Sequence, residues 1–202
     1  MARTVLAAGG SPASALIVVD MQNGFIAPYR GAGVEGARSV LTAVNRWISH
    51  AHERSWPVFL TRDIDPFGSS GPGARHDVAL HPGLDARGTV VDKGPGSRAG
   101  FSGFVLASTA TEGPGAPGGG GLSELAGLLL REGVEDVVTV GLAADVCVSA
   151  TALDARRLGY RVTLDLDATA FVHAHPDGDE AAVAALAGAG VTVLGGGPEE
   201  AP

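Results

Sequence analysis

The chain has 202 residues, 45% of them hydrophobic and 18% charged, and a net charge of −8, which permits a substantial core and excludes an intrinsically disordered polypeptide. An acidic balance without a basic run excludes nucleic acid as the main partner, and a single cysteine excludes an internal disulfide and fits a reducing compartment. The N-terminal segment carries a lone Arg3 and a short apolar patch, too little for a signal peptide or a membrane span, so a cytoplasmic protein with no membrane partner is expected.

Residues 15–20, Ala-Leu-Ile-Val-Val-Asp, form a continuous apolar run that ends in a carboxylate. Such a run predicts a strand buried on both faces, as in a parallel sheet. Residues 34–54 place Val40, Val44, Trp47, Ile48 and Ala51 at helical spacing. A second strand is predicted over 56–61 and a third over 88–93, separated by a long Gly/Pro/Ser excursion over 66–88. The stretch 113–121 is low in complexity and predicts a flexible loop; no Gly-Lys-Ser/Thr follows, so it is not a phosphate-binding loop. A helix is predicted over 122–131, capped at Ser123 or a neighbour and closed by Gly133. Then come a strand from Val137, a helix ending at Gly159-Tyr160, a strand over 161–166, an Ala-rich helix over 179–189 and a short strand over 191–194.

Strands and helices alternate throughout, which implies parallel strands joined by crossovers. The expected fold is a single-domain three-layer α/β/α sandwich on a mostly parallel, doubly wound, Rossmann-like six-stranded sheet. It should occupy residues 14–196, between flexible termini at 1–13 and 197–202.

Ligands of open α/β sheets gather beyond the carboxyl ends of the strands. Asp20, Asp63, Lys93 and Cys147 all fall at such ends. Each has a bland alternative: the carboxylates could cap turns, Lys93 could be solvated, and Cys147 could be inert core. Cys147 nevertheless sits at a predicted helix start, where unpaired N–H groups and the helix dipole favour thiolate. An acid, a base and a thiol on one sheet edge form a set that nucleophilic catalysis can use.

Three stretches carry a family resemblance. They are Leu16-Ile17-Val18-Val19-Asp20-Met21-Gln22-Asn23-Gly24-Phe25, the Lys93 strand with Phe101-Ser102-Gly103-Phe104, and Gly141-Leu142-Ala143-Ala144-Asp145-Val146-Cys147-Val148. In this order they resemble the nicotinamidase/isochorismatase-like cysteine hydrolases. The resemblance implies a triad of Asp20, Lys93 and Cys147, in which Cys147 attacks an amide carbonyl, Asp20 moves the proton and Lys93 holds Asp20. It implies a cis peptide at Leu142–Ala143 and an oxyanion hole from the N–H groups of Ala143 and Cys147. Phe25, Phe101 and Leu142 would contact the substrate. Isochorismatase proper cleaves a vinyl ether without needing a cysteine, so Cys147 favours C–N hydrolysis. The chemistry itself requires no cofactor.

The chain departs from true nicotinamidases where those bind a metal. Their Asp-x-His is replaced by Asp63-Ile64-Asp65, and their Trp-Pro-x-His by Gly73-Ala74-Arg75-His76. Asp63, Asp65 and His76 could still bind Zn²⁺ or Mn²⁺, or could simply cap turns on a polar loop. Losing the Trp and a His should leave a roomier pocket walled by Phe25. The substrate expected is a small cyclic or heterocyclic amide, such as the lactam that a streptothricin-hydrolysing branch opens. The alternatives are nicotinamide, converted to nicotinate, or a ureido or carbamoyl group. His173 and His175 have no nearby third ligand and are expected to be solvated, and His50 and His52 cannot share a helix face. Two readings without catalysis are a receiver-like module phosphorylated on Asp20 and a silent binding relative. A homodimer or homotetramer is expected from the resemblance. If the thiolate reading holds, Cys147 should alkylate faster than a free thiol near neutral pH.

Overall fold

The computed structural model describes residues 13–29, 31, 33–65, 73–94, 100–106 and 121–195. In chain order the first elements are β1 (Ala13–Val19), α1 (Asn23–Ile26), α2 (Ala37–Glu53), β2 (Val58–Asp63), α3 (Ala74–Val78) and β3 (Thr89–Lys93). Two short strands follow, β4 (Val105–Leu106) and β5 (Gly121–Leu122), then α4 (Glu124–Arg131) and β6 (Val134–Leu142). A π-helical turn (Ala144–Val148) leads into α5 (Ser149–Arg157), and β7 (Arg161–Ala170), α6 (Asp179–Gly188) and β8 (Thr192–Leu194) complete the chain.

β1 shows why the sheet is central. Its side chains alternate between faces, and both faces are buried: Leu16 and Val18 join one core, Ala15, Ile17 and Val19 the other. α2 covers the first face with Val40, Val44, Trp47, Ile48 and Ala51, the residues its periodicity predicts. α4, α5 and α6 cover the second with Leu125, Leu129, Ala152, Ala155 and Leu186. The six-stranded sheet runs in the order β3-β2-β1-β6-β7-β8 with every pairing parallel. The three-layer α/β sandwich expected from the alternation of elements is therefore the observed fold. Among the described residues no helix is long and apolar enough to cross a membrane.

Several boundaries differ from expectation for identifiable reasons. Leu122 pairs with Val105 in a small antiparallel ribbon rather than starting a helix. Helix α4 begins after Ser123, whose hydroxyl accepts the Leu125 N–H as an N-cap. β7 runs on to Ala170, because Gly141 and Leu142 pair with Thr169 and Ala170 after a register shift. The expected flexible termini and the 113–121 loop lie outside the described residues, apart from Ala13 and Gly121, which open β1 and β5.

One polar tie crosses the first core. The Trp47 indole N–H donates to Asp165 Oδ2 at 2.7 Å, with both residues fully buried, fixing α2 to β7. Gly141 is the tightest glycine in the sheet. It adopts φ +113, and a Cβ there would collide with the Val19 backbone of β1. Gly141→Ala therefore combines a left-handed backbone with overpacking. It is expected to lose at least about 2 kcal/mol of stability in urea unfolding, and a midpoint unchanged from wild type would contradict this account.

Candidate active site

The strand order reverses direction beside β1: β2 and β3 lie on one side and β6, β7 and β8 on the other. Such a switch point leaves a crevice beyond the carboxyl ends of the strands. Asp20 follows β1 there, with φ 50, in the left-handed region that few side chains other than Asn and Asp adopt. The turn aims its carboxylate back across the strand ends. Thr61 near the end of β2 clasps it from both directions: its hydroxyl donates to Oδ1 at 2.7 Å and accepts the Asp20 N–H at 3.2 Å.

Lys93, the last residue of β3, is fully buried and reaches the same point. Its ammonium lies 2.8 Å from Asp20 Oδ2. It donates to the carbonyls of Phe101 at 2.8 Å and Gly100 at 3.3 Å, and approaches Cys147 Sγ at 3.5 Å. Cys147 is the fourth residue of the π-helical turn and is buried. The turn is tied by the Val146 and Val148 N–H groups, which both donate to the Ala143 carbonyl, and by Ser149 Oγ, which donates to the Ala144 carbonyl.

The electrostatics correct one expectation. Burial pushes the Cys147 thiol up, the Asp20 carboxylate pushes it further, and Lys93 offsets only part of this. The thiol is therefore protonated at rest, because Asp20 has already claimed the lysine charge. For Lys93, burial works against the ammonium, but the Asp20 carboxylate favours it, and its pKa lies above the usual lysine value.

A cavity of about 110 Å³ opens onto the thiol, lined by Phe25, Val34, Asp63, Phe101, Ala143 and Val146 together with Cys147 and Val172. Phe25 and Phe101 stand where expected. Phe101 is carried on a loop pinned by the Gly103 N–H to Thr151 Oγ1 at 2.9 Å and by the Ser123 hydroxyl to the Gly103 carbonyl at 2.6 Å. Leu142 does not line the cavity. It points to the α2 side of the sheet with Val138 and Val140, as alternation along β6 requires, and is a core residue. The peptide it shares with Ala143 is cis, as the resemblance implied.

Among the described residues Asp63, Asp65 and His76 are not gathered as a ligand set. No three His, Cys, Asp or Glu side chains among the described residues come together as ligands. Asp63 Oδ1 accepts the Asp65 N–H at 2.9 Å in a local turn. The His76 ring turns instead to the Ala27 carbonyl, 2.9 Å from Nε2, and lies edge-on to Tyr29. The bland reading, turn capping, describes Asp63. It is nearly buried, and that burial pushes its pKa up. Gln22 locks its backbone, accepting the Asp63 N–H at 2.8 Å and donating to its carbonyl at 2.9 Å.

Residues 14–196 match the Isochorismatase domain family. The chain belongs to the isochorismatase family. A nicotinamidase from Acinetobacter baylyi is 30% identical to this isochorismatase-family chain over 182 residues, covering 76% of it and 79% of the relative. PnC1 from L. infantum, solved in complex with nicotinate, superposes with a TM-score of 0.70 at 30% identity, covering 92% of this chain and 94% of that one. The pyrazinamidase of Pyrococcus horikoshii, solved in complex with zinc, gives a TM-score of 0.66 at 28% identity, covering 92% and 100%.

Thr61, Val34, Val146, Val172 and the π-helical turn were not foreseen as parts of the site. Thr61 carried a faint signal as a polar residue closing an apolar strand, whereas the others depend on how loops return to the sheet. The charge arrangement gives a test with a definite sign. At neutral pH wild-type Cys147 is expected to react with iodoacetamide more slowly than free cysteine. Asp20→Asn removes the charge that raises the thiol while keeping Lys93, so its alkylation should accelerate, followed by intact-protein mass. A slower Asp20→Asn reaction would reverse the assignment of which charge governs the thiol.

Proposed function

We propose that this isochorismatase-family hydrolase is a cysteine amidohydrolase that releases ammonia from a small, flat carboxamide. The observation that carries the reading is the buried Lys93 ammonium held between the Asp20 carboxylate and the Cys147 thiol, with the thiol opening onto a small, largely apolar slot. As Sγ attacks the carbonyl carbon, Asp20 takes the thiol proton. The N–H groups of Ala143 and Cys147 receive the developing oxyanion, a role in which one donor is typically worth about 10²–10³ in rate. Collapse passes the proton from Asp20 to the departing amine and leaves a thioester on Cys147. Asp20 then deprotonates water, which attacks the thioester, and the carboxylate product departs as the thiol is regenerated. Lys93 stays charged throughout and fixes the carboxylate.

The nicotinamidase relative and the nicotinate-bound structure support a nicotinamide-type ring. The small cavity favours it over a streptothricin-sized lactam or a bulky ureide. Recognition in this reading rests on Phe25, Phe101 and the apolar walls, since Asp63, Asp65 and His76 do not come together as a ligand set among the described residues. The net charge of −8 and the single cysteine support a cytoplasmic enzyme acting on small molecules without nucleic acid or membrane. By analogy with the family, the same reading includes a homodimer or homotetramer.

Ammonia release is the test, measured on nicotinamide, a simple ureide and a streptothricin, with ring-opened lactam followed by mass. Nicotinamide turnover is expected, with Cys147→Ala and Asp20→Asn each lowering kcat by roughly 10³-fold or more in a folded protein. Lactam opening without nicotinamide turnover would move the substrate to the lactam class. Undiminished turnover by Cys147→Ala would end the cysteine mechanism.

A further inference from the structure

The segment that follows β7 closes one side of the pocket, and its tether lies in the π-helical turn itself. Asp145, two residues before the thiol, is half-buried and sends its carboxylate to this segment. Oδ1 accepts the Val172 N–H at 3.0 Å, and Oδ2 accepts the Ala174 N–H at 2.6 Å. Between these donors His173 adopts φ 55, a left-handed residue that turns alternate N–H groups toward one side. Such a concave pair of N–H groups is an anion-binding arrangement, and here the anion is a side chain of the same protein. On its outer side the His173 ring lies 2.7 Å from Asp179 Oδ2 at the start of α6. The result is a clamp that presents the Val172 side chain, 41% exposed, to the cavity beside Val146 and Cys147.

We infer that Asp145 is a positioning residue that sets the width of the substrate slot, by holding the Val172 wall at a fixed distance from the thiol through two backbone N–H groups. The substrate-width part of this rests on the amidohydrolase reading above. The clamp requires a carboxylate. It must accept two N–H groups at once, and an amide in its place would turn an NH₂ toward one of them. Asp145 also lies in the first turn of its helical segment, where the dipole favours a negative charge. Asp145 and Cys147 share one turn, so the clamp couples the wall to the nucleophile with a single residue between them.

The test compares Asp145→Asn and Asp145→Ala with Val172→Ala, using two readouts. The first is kinetic: on the best carboxamide substrate, KM should rise about tenfold while kcat stays within about threefold, because wall contacts are lost and the triad is retained. The second needs no substrate. Cys147 is alkylated with iodoacetamide and with the bulkier N-phenylmaleimide, and the ratio of the two rates is measured. A loosened wall raises the relative rate of the bulky reagent in all three variants. Backbone exchange of the Val172 and Ala174 amides should accelerate in Asp145→Asn, with protection of β1 and β6 unchanged. If Asp145→Ala fails to fold, Asp145→Asn, nearly isosteric, carries the comparison. A wild-type reagent ratio and wild-type exchange in the Asp145 variants, with a raised ratio in Val172→Ala, would overturn the inference. Failure of every carboxamide to turn over would instead overturn the functional reading and leave the reagent ratio to decide the role of Asp145.

Discussion

A buried ion pair organises this molecule. Lys93 and Asp20 are both fully buried, and neither charge could be held there alone. Removing one member of such a pair typically costs about 3–5 kcal/mol, because the remaining charge is left uncompensated in a low-dielectric interior. The neighbouring structure supplies what the pair needs. Carbonyls of Gly100 and Phe101 take ammonium protons, and the Thr61 hydroxyl takes one carboxylate oxygen. Those partners come from β2 and from the loop after β3, so the pair fixes the loop that carries Phe101 as well as the strand ends.

The fold places this pair through register. Asp63 and Lys93 are register partners at the ends of β2 and β3, and Val19 pairs with Gly141 between β1 and β6. Asp20 and the turn before Cys147 therefore emerge side by side at the point where the strand order reverses. Gly141 lets β6 pass close against β1 where a side chain would collide. The π-helical turn then widens the start of α5. Turns of this kind recur at functional sites, where one extra residue in a helical turn re-aims a side chain.

Much of this was legible in the residues. The continuous apolar run of β1 marked a strand buried on both faces, because a parallel sheet covered by helices leaves no polar face to interrupt it, and shorter apolar segments marked the other five strands of the main sheet. The motifs around Asp20, Lys93 and Cys147 marked the positions that the structure brings together. What stayed hidden depends on contacts between segments distant in sequence. Asp145 meets Val172 and Ala174 across 27 and 29 residues, and no periodicity encodes such a pairing. Leu142 was misplaced because motif adjacency says nothing about which sheet face a side chain takes. The Asp63, Asp65 and His76 side chains are not brought together among the described residues, since spacing supplies donors without orienting them, and the His76 ring is directed to the Ala27 carbonyl.

The protonation of Cys147 also follows from an interaction between distant segments. Viewed locally, a cysteine at a helix start is a thiolate candidate, since the dipole and free N–H groups lower its pKa. Burial and the adjacent carboxylate reverse that direction. Lys93 contributes one positive charge and Asp20 one negative, so a thiol completes a neutral trio while a thiolate would leave a buried negative charge uncompensated. Proton transfer from thiol to carboxylate at the moment of attack moves charge within the trio without changing its sum. When Asp20 returns the proton to the leaving amine, the carboxylate charge beside Lys93 is restored. In the proposed mechanism, charge that appears on the substrate oxygen is met by backbone N–H groups. A site built this way needs no deprotonated resting nucleophile. The raised thiol pKa is then the expected consequence of burying the thiol beside the Asp20 carboxylate.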